Sequence, residues 1–247
     1  MRIKVGLVGK GKWGLKIKKK LQNLADLKFT IGKSNKISSI IKKKDVQWIF
    51  IVTPNKTHYS IVKKCLMMGV NVYCEKPLSP SFIQAKALIN LAKRKKLKLF
   101  VSDLYNFYTK KLKKLNMRNT VYRAKFVNEK NPEFLNRFMY HDISIFYKFL
   151  KRSYIKKEII RLHRQKKIYT LTMKLKNKKE IKFEYNFGSK KKEHIVNNLN
   201  IKSKKDFLKL MIKNVLEKKI NFQENNLKAL FIVNLLNTIK GRIKYAN

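Results

Sequence analysis

The chain has 247 residues, 61 Lys+Arg against 14 Asp+Glu and so a formal charge of +47, with 44% hydrophobic and 11% aromatic residues. Apolar residues run through the whole length, which excludes a mostly disordered chain, and 8 Gly with 4 Pro exclude collagen-like or Pro-rich sequence. The charge suits a polyanion binder, but the excess is nearly all Lys and travels with Ile, Asn, Phe and Tyr, residues of A- and T-rich codons, so composition alone does not separate nucleic-acid binding from genomic background.

Residues 3–8 read as a buried strand, and 13–24 as a helix with Leu15, Ile17, Leu21 and Leu24 at helical spacing. A second strand is expected over 27–31 and a short helix over 37–43. Residues 48–52, Trp-Ile-Phe-Ile-Val, form an apolar run of the kind buried on both faces of a parallel sheet. Helix 58–68, strand 70–74, helix 81–95 and strand 97–101 continue the alternation, which predicts a Rossmann domain, a doubly wound parallel sheet, over residues 1–103. The rhythm then changes. Strands are expected over 121–127, 158–162, 168–175 and 180–187, interrupted by one helix over 141–151, with helices over 205–217 and 225–243. Consecutive strands with short connections predict a smaller α+β domain over 104–247 with an open, largely antiparallel sheet.

Cys65 and Cys74 have neither metal-ligand spacing nor a disulfide framework around them and read as small buried hydrophobes. No metal site is expected. The amino-terminal apolar run is too short for a signal peptide, and no window approaches the ~20 apolar residues of a membrane span, so the cytoplasm is the expected location. No helix-turn-helix, zinc or RNA-binding signature accompanies the charge, and no specific nucleic-acid partner is expected.

Gly9-Lys10-Gly11-Lys12-Trp13-Gly14 fits G-x-G-x-x-G between the first strand and the first helix. The first Gly allows the tight turn, the second lets the backbone approach a pyrophosphate, the third lets helix and strand pack, and the helix start around Lys12 and Trp13 offers unpaired N–H groups to the anion. A carboxylate is next expected about 20 residues on, for the adenosine ribose. The second strand is instead followed by Gly32-Lys33-Ser34-Asn35-Lys36. Lys33 and Ser34 suit a 2′-phosphate, so the cofactor reading is NADP or NAD, leaning to NADP.

Thr53-Pro54-Asn55-Lys56-Thr57-His58, Gly69 and Glu75-Lys76-Pro77 complete a pattern that resembles the glucose-fructose oxidoreductase and inositol dehydrogenase (Gfo/Idh/MocA) family over essentially the first hundred residues. The resemblance implies an NAD(P)-binding amino-terminal domain and a second domain that supplies the substrate surface and often a homo-oligomer contact through its sheet. It places Thr53, Pro54, Asn55 and His58 along the cofactor cleft, Glu75 at the nicotinamide-side ribose and Lys76 as the acid/base. From the residues alone, Thr53 and Pro54 end a buried strand, where ligands bind in such sheets, and His58 could reach cofactor or simply satisfy backbone. A lysine in a partly desolvated cleft can also titrate near neutrality.

The second domain matches less closely. The family's D-x-x-x-H before a helix keeps the histidine as His141, a proton relay or substrate ligand, but the acid's position holds Arg137, and the family's arginine beyond the last strand of the sheet is replaced by Asn106, next to Tyr105. Asp142, adjacent to His141, points elsewhere on a helix. Arg137 would favour an anionic substrate such as a sugar acid or nucleotide-linked sugar. Two readings follow: an NAD(P)-dependent oxidoreductase acting on a sugar-like small molecule, with Lys76 and His141 catalytic and Tyr105, Asn106 and Arg137 lining the substrate, or a catalytically silent NAD(P)-binding sensor or partner subunit.

Overall fold

The structure, a computed structural model, describes residues 1–32, 37–106, 116–127, 134–152, 160–165, 167–175, 178–201 and 206–240. Lys33, Ser34, Asn35 and Lys36 lie outside the described residues. The chain divides into two compact units, Met1–Leu104 with Asp206–Asn234, and Tyr105–Lys205 with Leu235–Asn247. Residues 206–234, expected in the second domain, instead complete the first unit.

The first unit is built on strands β1 (Lys4–Val8), β2 (Asp26–Ile31), β3 (Trp48–Ile51), β4 (Asn71–Cys74) and β5 (Leu99–Val101). They pair in the order β2-β1-β3-β4-β5, all parallel. This is the Rossmann-like, doubly wound arrangement expected, with its switch point between β1 and β3. β3 is buried at every residue, as its unbroken apolar run requires. Helix α1 (Lys12–Leu24) buries Gly14, Ile17 and Leu21, while Leu15, expected on the packed face, is 52% exposed. Gly14 takes its place because the helix backbone there lies against the Gly9 carbonyl, where a Cβ would clash. Helices α2 (Ile37–Lys44), α3 (His58–Met67) and α4 (Phe82–Arg94) fill the crossovers; Ser81 caps α4 by accepting from the Gln84 amide.

One late helix and the first part of another, as far as Asn234, finish this unit. Asp206 caps α6 (Phe207–Leu216), accepting from Lys209 and pairing with Lys20 on α1, and the hydrogen bond from Lys20 leads in holding its carboxyl below the usual range. Helix α7 (Phe222–Lys240) sets Phe222 against Trp48 and Phe100, and Ala229 in the core. Its Asn225 amide accepts from the Val101 N–H at 2.8 Å and donates to the Val101 carbonyl at 2.9 Å. One turn on, Lys228 pairs with Asp103 at 2.6 Å, both side chains being buried. The edge strand β5 is thus paired by a side chain where a sixth strand would lie.

The second unit holds a six-stranded sheet, β6 (Arg118–Ala124), β7 (Ile160–Gln165), β8 (Ile168–Lys174), β9 (Glu180–Asn186), β10 (Glu193–Val196) and β11 (Leu199–Asn200). Its order is β11-β10-β6-β9-β8-β7, with β6 and β9 parallel and every other pair antiparallel. The strands alternate buried and partly exposed residues, the period-2 signature of a sheet with one packed face. Helix α5 (Phe134–Arg152) begins two turns before the expected start at 141 because Leu135 and Met139 extend the buried stripe that continues through Asp142, Phe146 and Leu150. β10 and β11 had no counterpart in the sequence reading. Both cysteines are buried, as expected; desolvation pushes the Cys65 thiol up to about 12 and that of Cys74 well above its ordinary value.

Candidate active site

The glycine loop leaves β1 at the switch point. Gly9 has φ +125°, a left-handed conformation that favours glycine, and a Cβ there would run into the Val52 carbonyl. A Cβ on Gly14 would strike the Gly9 carbonyl, whereas one on Gly11 would meet nothing within 4 Å. The first and third glycines are therefore required by packing, and the middle one faces open space, as a loop over a pyrophosphate demands. Gly11 is the N-cap of α1 but provides no side-chain cap, and the first turn carries no acid. The amides at this helix start thus keep capacity for an anion. Lys12 and Trp13 are exposed, with the Lys16 ammonium 5.5 Å from the Trp13 ring centre.

Two further loops leave the same sheet edge. After β3, Thr53 is half-buried, Pro54 and Asn55 are exposed, and Asn55–Thr57 form a 3-10 turn. The Thr57 hydroxyl lies 2.8 Å from that of Thr53 and 2.7 Å from the Pro54 carbonyl. After β4, the Glu75 N–H donates to the Ile51 carbonyl at 2.9 Å, and the buried Tyr73 hydroxyl donates to the Glu75 carboxylate at 3.1 Å. Burial first, then the Glu75 charge, pushes the Tyr73 phenol well above its ordinary range, so it stays a donor. Glu75, Lys76 and Pro77 are half-buried, and the Lys76–Pro77 peptide is cis.

His58 joins these two loops. Its ring is 1% exposed, with Nδ1 2.7 Å from the Pro77 carbonyl oxygen and Nε2 2.8 Å from that of Thr53. Both ring nitrogens are thus engaged with backbone carbonyls, one of the two roles open to it in the sequence. It acts on the cleft by fixing Thr53 relative to the Lys76-Pro77 segment.

In the second unit, His141 lies within α5 and not at its start. It is half-buried, its ring 4.6 Å from that of half-buried Tyr105. Arg137, one turn earlier, is exposed, as is Asn106. Behind this pair lies a cluster that sequence reasoning missed. Asp142, 0% exposed, accepts from Arg123 through Nε at 3.2 Å and Nη2 at 2.6 Å, and from the His194 ring at 2.8 Å. Arg123 and His194 are cross-strand partners on β6 and β10, and Tyr185 on β9 continues the row. The Arg123 guanidinium sits 5.6 Å from the Tyr105 ring centre and 5.4 Å from that of Phe138, and Tyr105 meets His194 edge-on at 5.3 Å.

Burial by itself would raise the Asp142 carboxyl; the Arg123 charge and the His194 hydrogen bond outweigh it and hold the carboxyl below its usual range. Burial likewise works against the Arg123 charge, which Asp142 raises further above its usual value. The Tyr185 phenol is pushed up by burial and by Asp142. The available signal was Asp142 itself, an acid on the apolar stripe of a helix, which demands a buried partner. Among the described residues no group of three or more His, Cys, Asp or Glu is arranged to hold a metal ion, and no helix is long and apolar enough to cross a membrane.

Residues 15–103 match the model of the oxidoreductase family with an NAD-binding Rossmann fold, GFO_IDH_MocA. The match holds both the Thr53 and Glu75 loops and begins just beyond the glycine loop. An uncharacterised oxidoreductase of Schizosaccharomyces pombe is 36% identical over 66 residues, 27% of this chain but 18% of that protein. Matches to solved structures run the whole length. The UDP-N-acetylglucosamine 3-dehydrogenase GnnA of Acidithiobacillus ferrooxidans superposes with a TM-score of 0.77 at 14% identity, covering 99% of this chain and 98% of that one. The WlbA dehydrogenase of Thermus thermophilus, in complex with NAD and UDP-GlcNAcA, gives 0.73 at 12% identity, with 95% and 94% covered. At such identities these two establish the fold.

Proposed function

We propose that the chain, whose residues 15–103 match the NAD-binding GFO_IDH_MocA oxidoreductase family, is an NAD(P)-dependent dehydrogenase or reductase acting on a hydroxyl or ketone of a sugar-like, anionic or nucleotide-linked substrate. The observation that carries this reading is the glycine loop, where side chains are barred at Gly9 and Gly14 and space is open at Gly11, before a helix start with neither side-chain cap nor acid. The nucleotide-sugar names of the two structural relatives support the substrate class.

When bound, the dinucleotide supplies or accepts the hydride. The chain's residues do the rest. The amides at the start of α1 hold the diphosphate, Thr53, Pro54 and Asn55 line the cleft, and Glu75, oriented by Tyr73, accepts from the nicotinamide-side ribose. Lys76 takes the proton from the carbinol oxygen in oxidation and returns it in reduction. His141, seated on Tyr105, binds the substrate or relays that proton, while Asn106 and Arg137 contribute to the substrate surface. The resemblance also assigns a homo-oligomer contact to the six-stranded sheet, which a molar mass from light scattering tests.

The test of the activity is purified protein with NADH, NADPH and their oxidised forms against UDP-N-acetylhexosamines, sugar acids and keto-sugars. Turnover is expected on at least one, with Lys76→Ala lowering kcat by about 10²- to 10⁴-fold. Equal rates for wild type and Lys76→Ala on every active substrate would remove Lys76 from the chemistry. A second reading, a catalytically silent NAD(P)-binding subunit, is favoured by Arg137, which stands one turn before His141 where the family has an acid. Tight dinucleotide binding without turnover on the panel supports it, and one good substrate ends it.

A further inference from the structure

We propose that Lys10 selects the phosphorylated dinucleotide by holding the adenosine 2′-phosphate beside the end of β2; the inference rests on the cofactor site proposed above. In a doubly wound sheet the adenosine ribose lies beyond the carboxyl end of the second strand, where a carboxylate accepts from its hydroxyls in NAD sites and a cation receives the 2′-phosphate in NADP sites. No acidic residue stands between Asp26 and Asp45 in this chain. Asp26 opens β2 at its far end and is engaged by Lys28 at 2.6 Å. A ribose hydroxyl would therefore find no carboxylate at the end of this strand.

The structure brings a cation there from the neighbouring loop. The Gly9 N–H donates to the carbonyl of Ile31, the last residue of β2, at 2.8 Å, which ties the glycine loop to the strand end. From the next residue the Lys10 side chain runs back over the strand end, its Cδ 3.8 Å from where a Cβ on Gly32 would stand. Lys10 is exposed, and among the described residues no carboxylate pairs with it. An ammonium placed here meets a phosphate that extends from the 2′-oxygen and gives a free hydroxyl no acceptor. Gly32 lacks a positive φ, and a side chain there would make only ordinary contact with Lys10, so the charge at this point can be reversed by Gly32→Asp without forcing the backbone.

With a net charge of +47, any phosphate is attracted weakly, so the test compares two ligands that differ in one. NADPH and NADH are titrated calorimetrically into the full chain at about 0.3 M salt, where exposed charges are largely screened, for wild type, Lys10→Ala, Gly32→Asp and Lys86→Ala, the last an exposed lysine on α4. Wild type is expected to favour NADPH by about tenfold or more, the worth of one charge-assisted hydrogen bond. Lys10→Ala should bring the ratio to within about threefold with the NADH affinity unchanged, Gly32→Asp should favour NADH, and Lys86→Ala should match wild type. A wild-type protein that binds NADH as tightly as NADPH, a Lys10→Ala variant that keeps the full preference, or an equal loss in Lys86→Ala overturns the role of Lys10 and leaves the cofactor site standing. Binding of neither dinucleotide overturns that site and this inference with it.

Discussion

The glycine loop of the first unit and the Arg123–Asp142–His194 cluster of the second meet opposite requirements with opposite materials. The loop works by what is missing: no Cβ at three positions, no side-chain cap at Gly11 and no acid in the first turn of α1. Its chemistry is that of backbone amides with room in front of them. In the cluster every charge is answered by another, and the carboxylate is wholly removed from water. A buried ion pair of this kind adds little net stability over an apolar core but is costly to break. The first region leaves uncapped amides and open space at Gly11, and the second packs against Tyr105, and through it His141.

That contrast can be broken by substitutions that should separate binding from stability. The largest effect is expected for Asp142→Ala, which leaves Arg123 buried without its counter-charge and should cost about 3–5 kcal/mol, read as a lower midpoint in urea, with dinucleotide affinity unchanged. A change in that affinity beyond threefold would refute the separation. Because the folded carboxyl lies below its unfolded value, its contribution is present at neutral pH and lost as pH falls through the folded pKa; the variant should show a flatter acid limb. Gly14→Ala should cost less stability, about 1–3 kcal/mol from overpacking, yet abolish measurable dinucleotide binding, since the new methyl displaces the Gly9 peptide. Retained affinity would mean that the close approach at Gly14 is not what shapes the loop.

The smallest effect concerns both thiols of the first unit's core. Cys65 and Cys74 should resist a thiol reagent in the native protein and react on unfolding. Their folded pKa values are raised, so their contribution is complete below the unfolded value and declines as pH rises above it. Serine at both positions should remove that alkaline slope.

The two regions also differ in how far they could be read in advance. A parallel sheet buried on both faces writes itself as short apolar runs, and a loop shaped by sterics writes itself as glycines at fixed spacing, so β1 to β5 and Gly9, Gly11 and Gly14 were legible. The cluster joins positions 123, 142 and 194 through register between β6 and β10, and register across a sheet leaves no local trace. The start of α5 and the strands β10 and β11 were missed for a related reason: each is short or mixed in pattern, and tertiary burial decides it. His58 was placed correctly in the chain but its role depended on two carbonyls, one of them 19 residues away. Sequence spacing does not show such a bond.

The Asn225 amide on the edge of β5 bears on biosynthesis. Residues 206–234 follow residues 105–205 of the second unit in the chain, yet Phe222, Asn225, Lys228 and Ala229 cover Trp48, pair Val101 and Asp103, and close the first core. A nascent chain stopped near residue 205 would present a bare strand edge beside exposed aromatic rings, a template for pairing with other chains. Residues 105–205, the larger part of the second unit, must be translated before the edge of β5 is protected.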